Sequence, residues 1–495
     1  MMFKKFVAGI LGVMLLAMQP VQLTFAEEVQ VQDGDLNNEE KTAEQLAAEA
    51  EAKLEAERKE ALETPSETDQ LENWPAGPAV YAHSAIVMDM NSGAILYSKK
   101  AEERHFPASI TKLLTTLVAL ENAELTDKVT FSQASVDILN WDDAHIGMRP
   151  GEEISMKDAL RAVLLASANE VSYAVAESTG ITHLNGGYDT FIELMNTRAK
   201  ELGCTNSHWV NPNGLHDEEH YTTAHDMALI ASAVYQQEEF RNIMDILEYR
   251  IPPTNLVDEE RVFQQNHKML WPENAYYYEY CTGGKTGYTD QSGTTLVTMA
   301  DNGELQLAAV VLQDYGVDAY TDTKAMMEYV FNNFTKVPLA ELGVTDTMDE
   351  IKSFTDENAY AVLPKNLDTV DKKKIKCEIK EDTKQDGTAV YTYEGQIIGK
   401  TKVSLKTNTN EKSVVRDEES KDSKEETVKS TKKVIIAVAA VVLLIVVIAA
   451  ALFYRKYLRY KKWQEKQKRM RRRRAAESRK RRKGSYSQFD KPKKR

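Results

Sequence analysis

The pattern of apolar and polar positions divides the chain into segments of different texture. Residues 6–18 are an apolar run, and residues 27–73 are polar and Ala-rich, with no aromatic side chain before Trp74. Residues 84–90 and 94–98 are apolar-rich stretches joined by Asn91, Ser92 and Gly93, which predicts a β-hairpin. A second pair, 294–299 and 305–312, is joined around Asp301, Asn302 and Gly303. Between the hairpins the apolar spacing becomes helical: Ile110, Leu113, Leu114, Leu117 and Val118 share one face, as do Ala159, Leu160, Val163 and Leu164. Strands at both ends with helices between them predict an α+β fold, an antiparallel sheet built from distant sequence and packed with helices. After about residue 336 the texture changes again. Residues 359–408 alternate apolar and polar, which predicts a small β-rich domain over 336–408. Residues 409–433 are a charged, solvated linker.

The two ends of the chain predict its topology. Lys4 and Lys5, the apolar run and Thr24-Phe25-Ala26 read as a signal peptide over residues 1–26 with a small-residue cleavage site. The competing reading, an uncleaved anchor, exports the same downstream segment. Residues 434–453 are uninterrupted Val, Ile, Leu, Ala and Phe, long enough to cross a bilayer as a single transmembrane helix and apolar on every side. The tail 454–495 is dense in Lys and Arg, including Arg469 and residues 471–474. Basic flanks stay on the cytoplasmic side, so residues 27–433 are expected outside the cell, on a single-pass protein of the cell membrane. Beside a membrane the basic tail is read as lying on anionic lipid, and no nucleic-acid partner is expected. The formal net charge of −14 therefore understates the acidity of the exported part.

Residues 27–77 are expected to be an acidic spacer. They suit a solvated helix with little but Ala to bury, and their heptads are too few to assign a coiled coil. Folded sequence is expected from about Pro78, with a catalytic unit over 78–335. Three unclustered cysteines, Cys204, Cys281 and Cys377, make neither a disulfide framework nor a metal site, and no cofactor is expected.

Three short motifs carry the candidate chemistry. An S-x-x-K stands at Ser109–Lys112, a pattern expected by chance roughly once or twice in a chain this long, and Ser430 with Lys433 repeats it in the linker. Ser109 follows Pro107-Ala108 and opens a helical run, so Ser109 and Lys112 project the same way. A desolvated lysine amine can then serve as base to the hydroxyl, with helix N-terminal N–H groups close by. A capping serine followed by a surface lysine satisfies the same motif. Ser167 and Asn169 interrupt an apolar helical pattern, either lining a site or making an inter-helix turn. Lys285, Thr286 and Gly287 precede the second hairpin. On an edge strand they could pair with a substrate backbone and meet a terminal carboxylate. The upstream glycine of a phosphate-binding loop is absent, which removes that reading of G-K-T.

Together these motifs resemble the penicillin-binding, serine-type D-Ala-D-Ala carboxypeptidase family. The likeness extends over S-A-I-V-M-D-M-N-S-G-A-I-L-Y-S, F-P-A-S-I-T-K-L-L-T, W-V-N-P-N-G-L, Y-T-T-A-H-D-M-A-L-I-A and G-K-T-G-Y-T-D-Q-S-G-T-T-L-V, about residues 79–335. The resemblance implies a fold like that of the serine β-lactamases and penicillin-binding proteins, often with a small β domain behind it. It implies Ser109 as nucleophile and Lys112 as its base, Ser167 relaying a proton to the leaving amine, and Asn169 orienting Lys112 and the substrate amide. Lys285 and Thr286, beside Gly287, would receive the substrate carboxylate. The N–H groups of Ser109 and Tyr288 would form the oxyanion hole. The implied reaction releases terminal D-Ala from a peptidoglycan stem peptide through an acyl-enzyme, and β-lactams would acylate the same serine. Glu170 departs from the Asp common in the family, and a full membrane span departs from the usual amphipathic anchor. Two alternatives remain: a β-lactamase-like hydrolase, whose E-x-x-L-N pattern is absent between Asn169 and Lys285, and a non-catalytic membrane-bound sensor or scaffold for wall peptides.

Overall fold

A computed structural model describes residues 43–344, 350–383 and 385–406. Helix α1 (Ala43–Glu63) leads into a five-stranded antiparallel sheet. Its first hairpin is β1 (Ser84–Asp89) and β2 (Ile95–Lys99). The turn is closed by Asp89 N–H donating to Ala94 O at 2.8 Å, while the Asp89 carboxylate accepts from Ser92 N and Oγ. Side-chain acceptance by Asp is what stabilises such turns.

The chain then leaves the sheet for a helical layer: α2 (Lys112–Asn122), α3 (Asn169–Thr182), α4 (Tyr188–Glu201) and α5 (Ala224–Tyr235). It returns as β3 (Cys281–Thr289), β4 (Gly293–Asp301) and β5 (Gln306–Asp314), followed by α6 (Asp318–Asn333). The strand order is β2-β1-β5-β4-β3, so the two hairpins read from sequence meet where β1 pairs with β5, Asp89 opposite Leu307.

Period-two alternation assigns each strand's residues to opposite faces. Ile86, Met88, Val297 and Val310 pack with the helical layer, whereas Ala85, Val87, Leu296 and Val311 pack with α6 and the chain's later strands. Every residue of β1 and β2 is buried because both faces are covered. Helix α2 lies inside the helical layer, buried continuously from Lys112 to Ala119. Strand β3 is the sheet edge, beside the turn that precedes α2.

Beyond α6, β6 (Phe334–Pro338) pairs with a later strand, and β7 (Ile351–Phe354) precedes that partner, β8 (Tyr360–Pro364). Strands β9 (Ile375–Glu381), β10 (Asp386–Tyr393) and β11 (Gln396–Leu405) complete a four-stranded sheet ordered β7-β11-β10-β9. Its buried Ala389, Tyr391, Ile398 and Val403 belong to the same apolar cluster as Val87 and Val311. Polar bonds join the layers as well: Tyr360 Oη donates to Asp89 Oδ2 at 3.0 Å, and Lys400 N–H to Ser92 O at 2.7 Å.

One expectation is corrected. Ordered packing starts well before Pro78: Ala61, Ser66, Thr68 and Trp74 are all buried. Lys99, at the end of β2, donates to Ala61 O at 2.6 Å and Val80 O at 2.8 Å. Arg58 pairs with Asp318 and lies over the Tyr81 and Tyr315 rings. The Ala-rich composition concealed this because the helix docks through a carbonyl and a guanidinium rather than an apolar stripe. No helix among the described residues is long and apolar enough to cross a membrane. The signal peptide, linker, apolar run 434–453 and basic tail lie outside the described residues.

Candidate active site

The nucleophile candidate sits in a tight turn, Ala108–Thr111, that runs directly into α2. Ala108 is left-handed, with φ of 51°, a conformation disfavoured by its Cβ and held here by its surroundings. Thr295 Oγ1 donates to Pro107 O at 2.8 Å, and Thr111 Oγ1 to Ala108 O at 2.8 Å. Behind Ala108, Gly214 has φ of 85°, and a Cβ there would stand 1.8 Å from Ala108 O. In front, a Cβ on Gly287 would be 2.4 Å from Thr295 Oγ1 and 2.9 Å from Ser109 N. Glycines at these two places let the turn fit between strand β3 and the 211–215 loop.

One helical turn on, Lys112 is fully buried. Its Nζ lies 2.8 Å from Ser109 Oγ, 2.7 Å from Asn169 Oδ1 and 2.6 Å from Asn213 O. A neutral amine has two N–H donors and one lone pair. The amide and peptide oxygens can only accept, so they take the two hydrogens and leave the lone pair facing the Ser109 hydroxyl. Burial holds the amine well below its ordinary value, reinforced by the positive charge of Lys285; Glu170 and Asp143 oppose the shift. The neutral amine in this arrangement can take the proton of the Ser109 hydroxyl.

Ser167 and Asn169 flank a break in the helical layer. The turn Ala162–Ala166 is widened to π geometry, and Ser167 follows in the left-handed region with φ of 61°. Such breaks re-aim side chains and free backbone groups. Asn169, the first residue of α3, also donates its N–H to Ala144 O at 2.9 Å, while Glu170 Oε1 accepts from Ile146 N–H at 2.8 Å. Glu170 thus clamps the 144–146 loop, and burial pushes its carboxyl upward. Ser167 is buried.

Lys285 lies on β3 opposite Val297, buried, with Nζ donating to Thr286 O at 2.8 Å. Burial lowers its amine to about 7. Thr286 is half-buried and Tyr288 exposed at the strand's outer end. The structure thus brings Ser109, Lys112 and Asn169 into direct contact, with Lys285 close enough to bias Lys112 and Gly287 against the Ser109 turn. Sequence reasoning missed the Asn213 carbonyl, the Thr295 bond to Pro107 and the Glu170 clamp. W-V-N-P-N-G-L was a usable signal for the first, but a backbone carbonyl carries no residue-type signature. Among the described residues no group of His, Cys, Asp or Glu could hold a metal ion.

The profile of the D-alanyl-D-alanine carboxypeptidase family of peptidases matches residues 71–316. D-alanyl-D-alanine carboxypeptidase DacB2 of Mycobacterium tuberculosis is 30% identical over 249 residues, which cover 49% of this chain and 77% of the relative. The chain belongs to the D-alanyl-D-alanine carboxypeptidase family. D-alanyl-D-alanine carboxypeptidase DacF of Bacillus subtilis is 27% identical over 352 residues, 66% of this chain and 85% of that protein. The solved Streptomyces K15 DD-transpeptidase is 25% identical, aligning with 52% of this chain and all 100% of its own at a TM-score of 0.48. The family match starts at residue 71, so helix α1 lies outside it.

Proposed function

We propose that this D-alanyl-D-alanine carboxypeptidase family member is a serine peptidase that removes the terminal D-Ala from peptidoglycan stem peptides, with Ser109 as nucleophile. The observation that carries the reading is the buried Lys112 amine 2.8 Å from Ser109 Oγ, its two hydrogens directed at carbonyl oxygens. Ser109 Oγ attacks the carbonyl carbon of the penultimate D-Ala as its proton passes to Lys112. The Ser109 and Tyr288 N–H groups receive the developing oxyanion. The C–N bond breaks, Ser167 passes a proton to the departing amine, and D-Ala leaves. Water then cleaves the ester and regenerates Ser109. Asn169 orients Lys112 and the substrate amide. Lys285 and the Thr286 hydroxyl, with Gly287 giving the backbone room, bind the terminal carboxylate. A β-lactam carbonyl would enter the same position and acylate Ser109.

The cellular setting belongs to the same proposal. A signal peptide over 1–26 and a transmembrane helix over 434–453 would hold residues 27–433 outside the membrane, with the basic tail on anionic lipid inside. Hydropathy and flanking charge support this reading. The segment up to about residue 335, with the docked residues before Pro78, would be the catalytic unit, the strands that follow a β-rich unit packed against it, and 409–433 the linker to the membrane.

The test is D-Ala release from a synthetic peptide ending in D-Ala-D-Ala, comparing wild type with Ser109→Ala and Lys112→Arg. Release by wild type and none by Ser109→Ala is expected. Arginine stays charged at any working pH, so Lys112→Arg should fall by at least ~100-fold. Persistent release by Ser109→Ala would remove the proposal. No release by wild type, together with tight peptide binding, would favour the wall-peptide sensor.

A further inference from the structure

Behind the nucleophile turn, a chain of hydrogen bonds ends on a buried imidazole. His220 is 1% exposed and packs edge-on against Trp209. Its Nδ1 accepts from Val210 N–H at 3.1 Å, so the proton of the neutral ring resides on Nε2. That nitrogen lies 2.8 Å from Thr111 Oγ1. The Thr111 hydroxyl has a single hydrogen and lies 2.8 Å from the Ala108 carbonyl oxygen, which can only accept. The imidazole donor therefore commits that hydrogen to Ala108 O. Burial, with His208, Lys112 and His216 adding to it, lowers the imidazole to about 3. A charged ring would also set a second N–H against that of Val210.

The direction of the Ala108 carbonyl matters because of the next atom along the chain. In a planar trans peptide the C=O of Ala108 and the N–H of Ser109 point in opposite directions. Turning the carbonyl back toward Thr111 turns the Ser109 N–H forward, to the side where Gly287 leaves space. Ala108 is left-handed, so this orientation needs restraint from outside the turn. His220 belongs to none of the three motifs, and its ring nitrogens bond Thr111 and Val210 rather than Ser109 or Lys112.

We propose that His220 is a positioning residue which, through Thr111 and the Ala108 carbonyl, holds the Ser109 N–H in its oxyanion-stabilising direction. The inference rests on the reading of Ser109 as nucleophile. It assigns a job to a histidine that its burial alone would class as packing.

The experiment measures kcat and KM for D-Ala release, with thermal melting of each variant of the full chain. His220→Leu removes the donor and Thr111→Val removes the relay. Each is expected to lower kcat by about 10–100-fold, below or near the ~10²–10³ loss of a whole oxyanion donor, while KM stays within about twofold. The double variant should be no worse than the poorer single one, because both break one chain. Thr111→Ser keeps the hydroxyl and His220→Gln offers an amide donor, so both should regain most of kcat. If His220→Leu does not fold, the Thr111→Val and Thr111→Ser pair decides. Wild-type kcat in folded Thr111→Val, or losses that multiply in the double variant, would overturn the inference. Ser109→Ala separates the two levels. Its continued activity would refute the nucleophile reading, whereas an inactive Ser109→Ala beside a fully active Thr111→Val would refute only the positioning role.

Discussion

Two lysines in one site, Lys112 and Lys285, are buried with no ion pair among the described residues, and that is unfavourable for a folded protein. Lys285 is the clearer case because its amine makes one hydrogen bond, to Thr286 O, and burial lowers it to about 7. Unfolded, the same amine titrates near 10.5. The folded state therefore binds fewer protons than the unfolded chain between these values, and stability rises with pH across that window. The penalty is fully present below about 7 and is gone by about 10.5. Lys285→Met is accordingly expected to melt above wild type at pH 7, with the advantage shrinking to nothing toward pH 10.5, while D-Ala release is lost. A melting difference that grows with pH would contradict this account. Lys112 is lowered by the same cause, with Lys285 adding to it, but it also satisfies Asn169 Oδ1 and Asn213 O. Its removal would orphan two buried acceptors, so the same gain is not expected there.

At the level of elements, the catalytic geometry depends on how closely the Ala108–Thr111 turn approaches its neighbours. Gly214→Ala would place a methyl 1.8 Å from Ala108 O at a backbone φ of 85°. Either the 211–215 loop or the nucleophile turn must move, so both melting temperature and β-lactam acylation should fall. Gly147→Ala is the control: its φ is also left-handed, 75°, but nothing lies within 4 Å. It should cost only about 1 kcal/mol and leave acylation intact. If the two variants behave alike, crowding at Ala108 is not what matters. The contrast also marks what a sequence can disclose. Apolar alternation and Asn/Asp/Gly turns are local signals, and they located both hairpins within a residue or two of β1–β2 and β4–β5. The pairing of Lys112 with Ser109 was readable because three residues on a helical turn fix its direction. The Asn213 carbonyl, the Thr295 bond to Pro107 and the left-handed Ala108 were not, since each depends on two segments far apart in the chain meeting at a backbone atom.

Across the whole molecule, the end of helix α1 is held by the fold rather than trailing from it. The Lys99 amine, lowered to about 8 by burial, donates to the carbonyl of Ala61 in the last turn of α1, where the helix dipole places partial negative charge. Arg58 adds a second attachment through Asp318. Lys99→Met should release α1, seen as faster tryptic cleavage at Arg58 and Lys59 with little change in D-Ala release. Equal cleavage rates would mean that α1 is retained by other contacts. The central claim, that Lys112 makes Ser109 the nucleophile, is tested most directly by peptide mapping after reaction with penicillin. One adduct is expected, on the peptide that contains Ser109, absent from a folded Ser109→Ala variant and strongly slowed in Lys112→Arg. An adduct on any other residue, or undiminished labelling of Ser109→Ala, would contradict it.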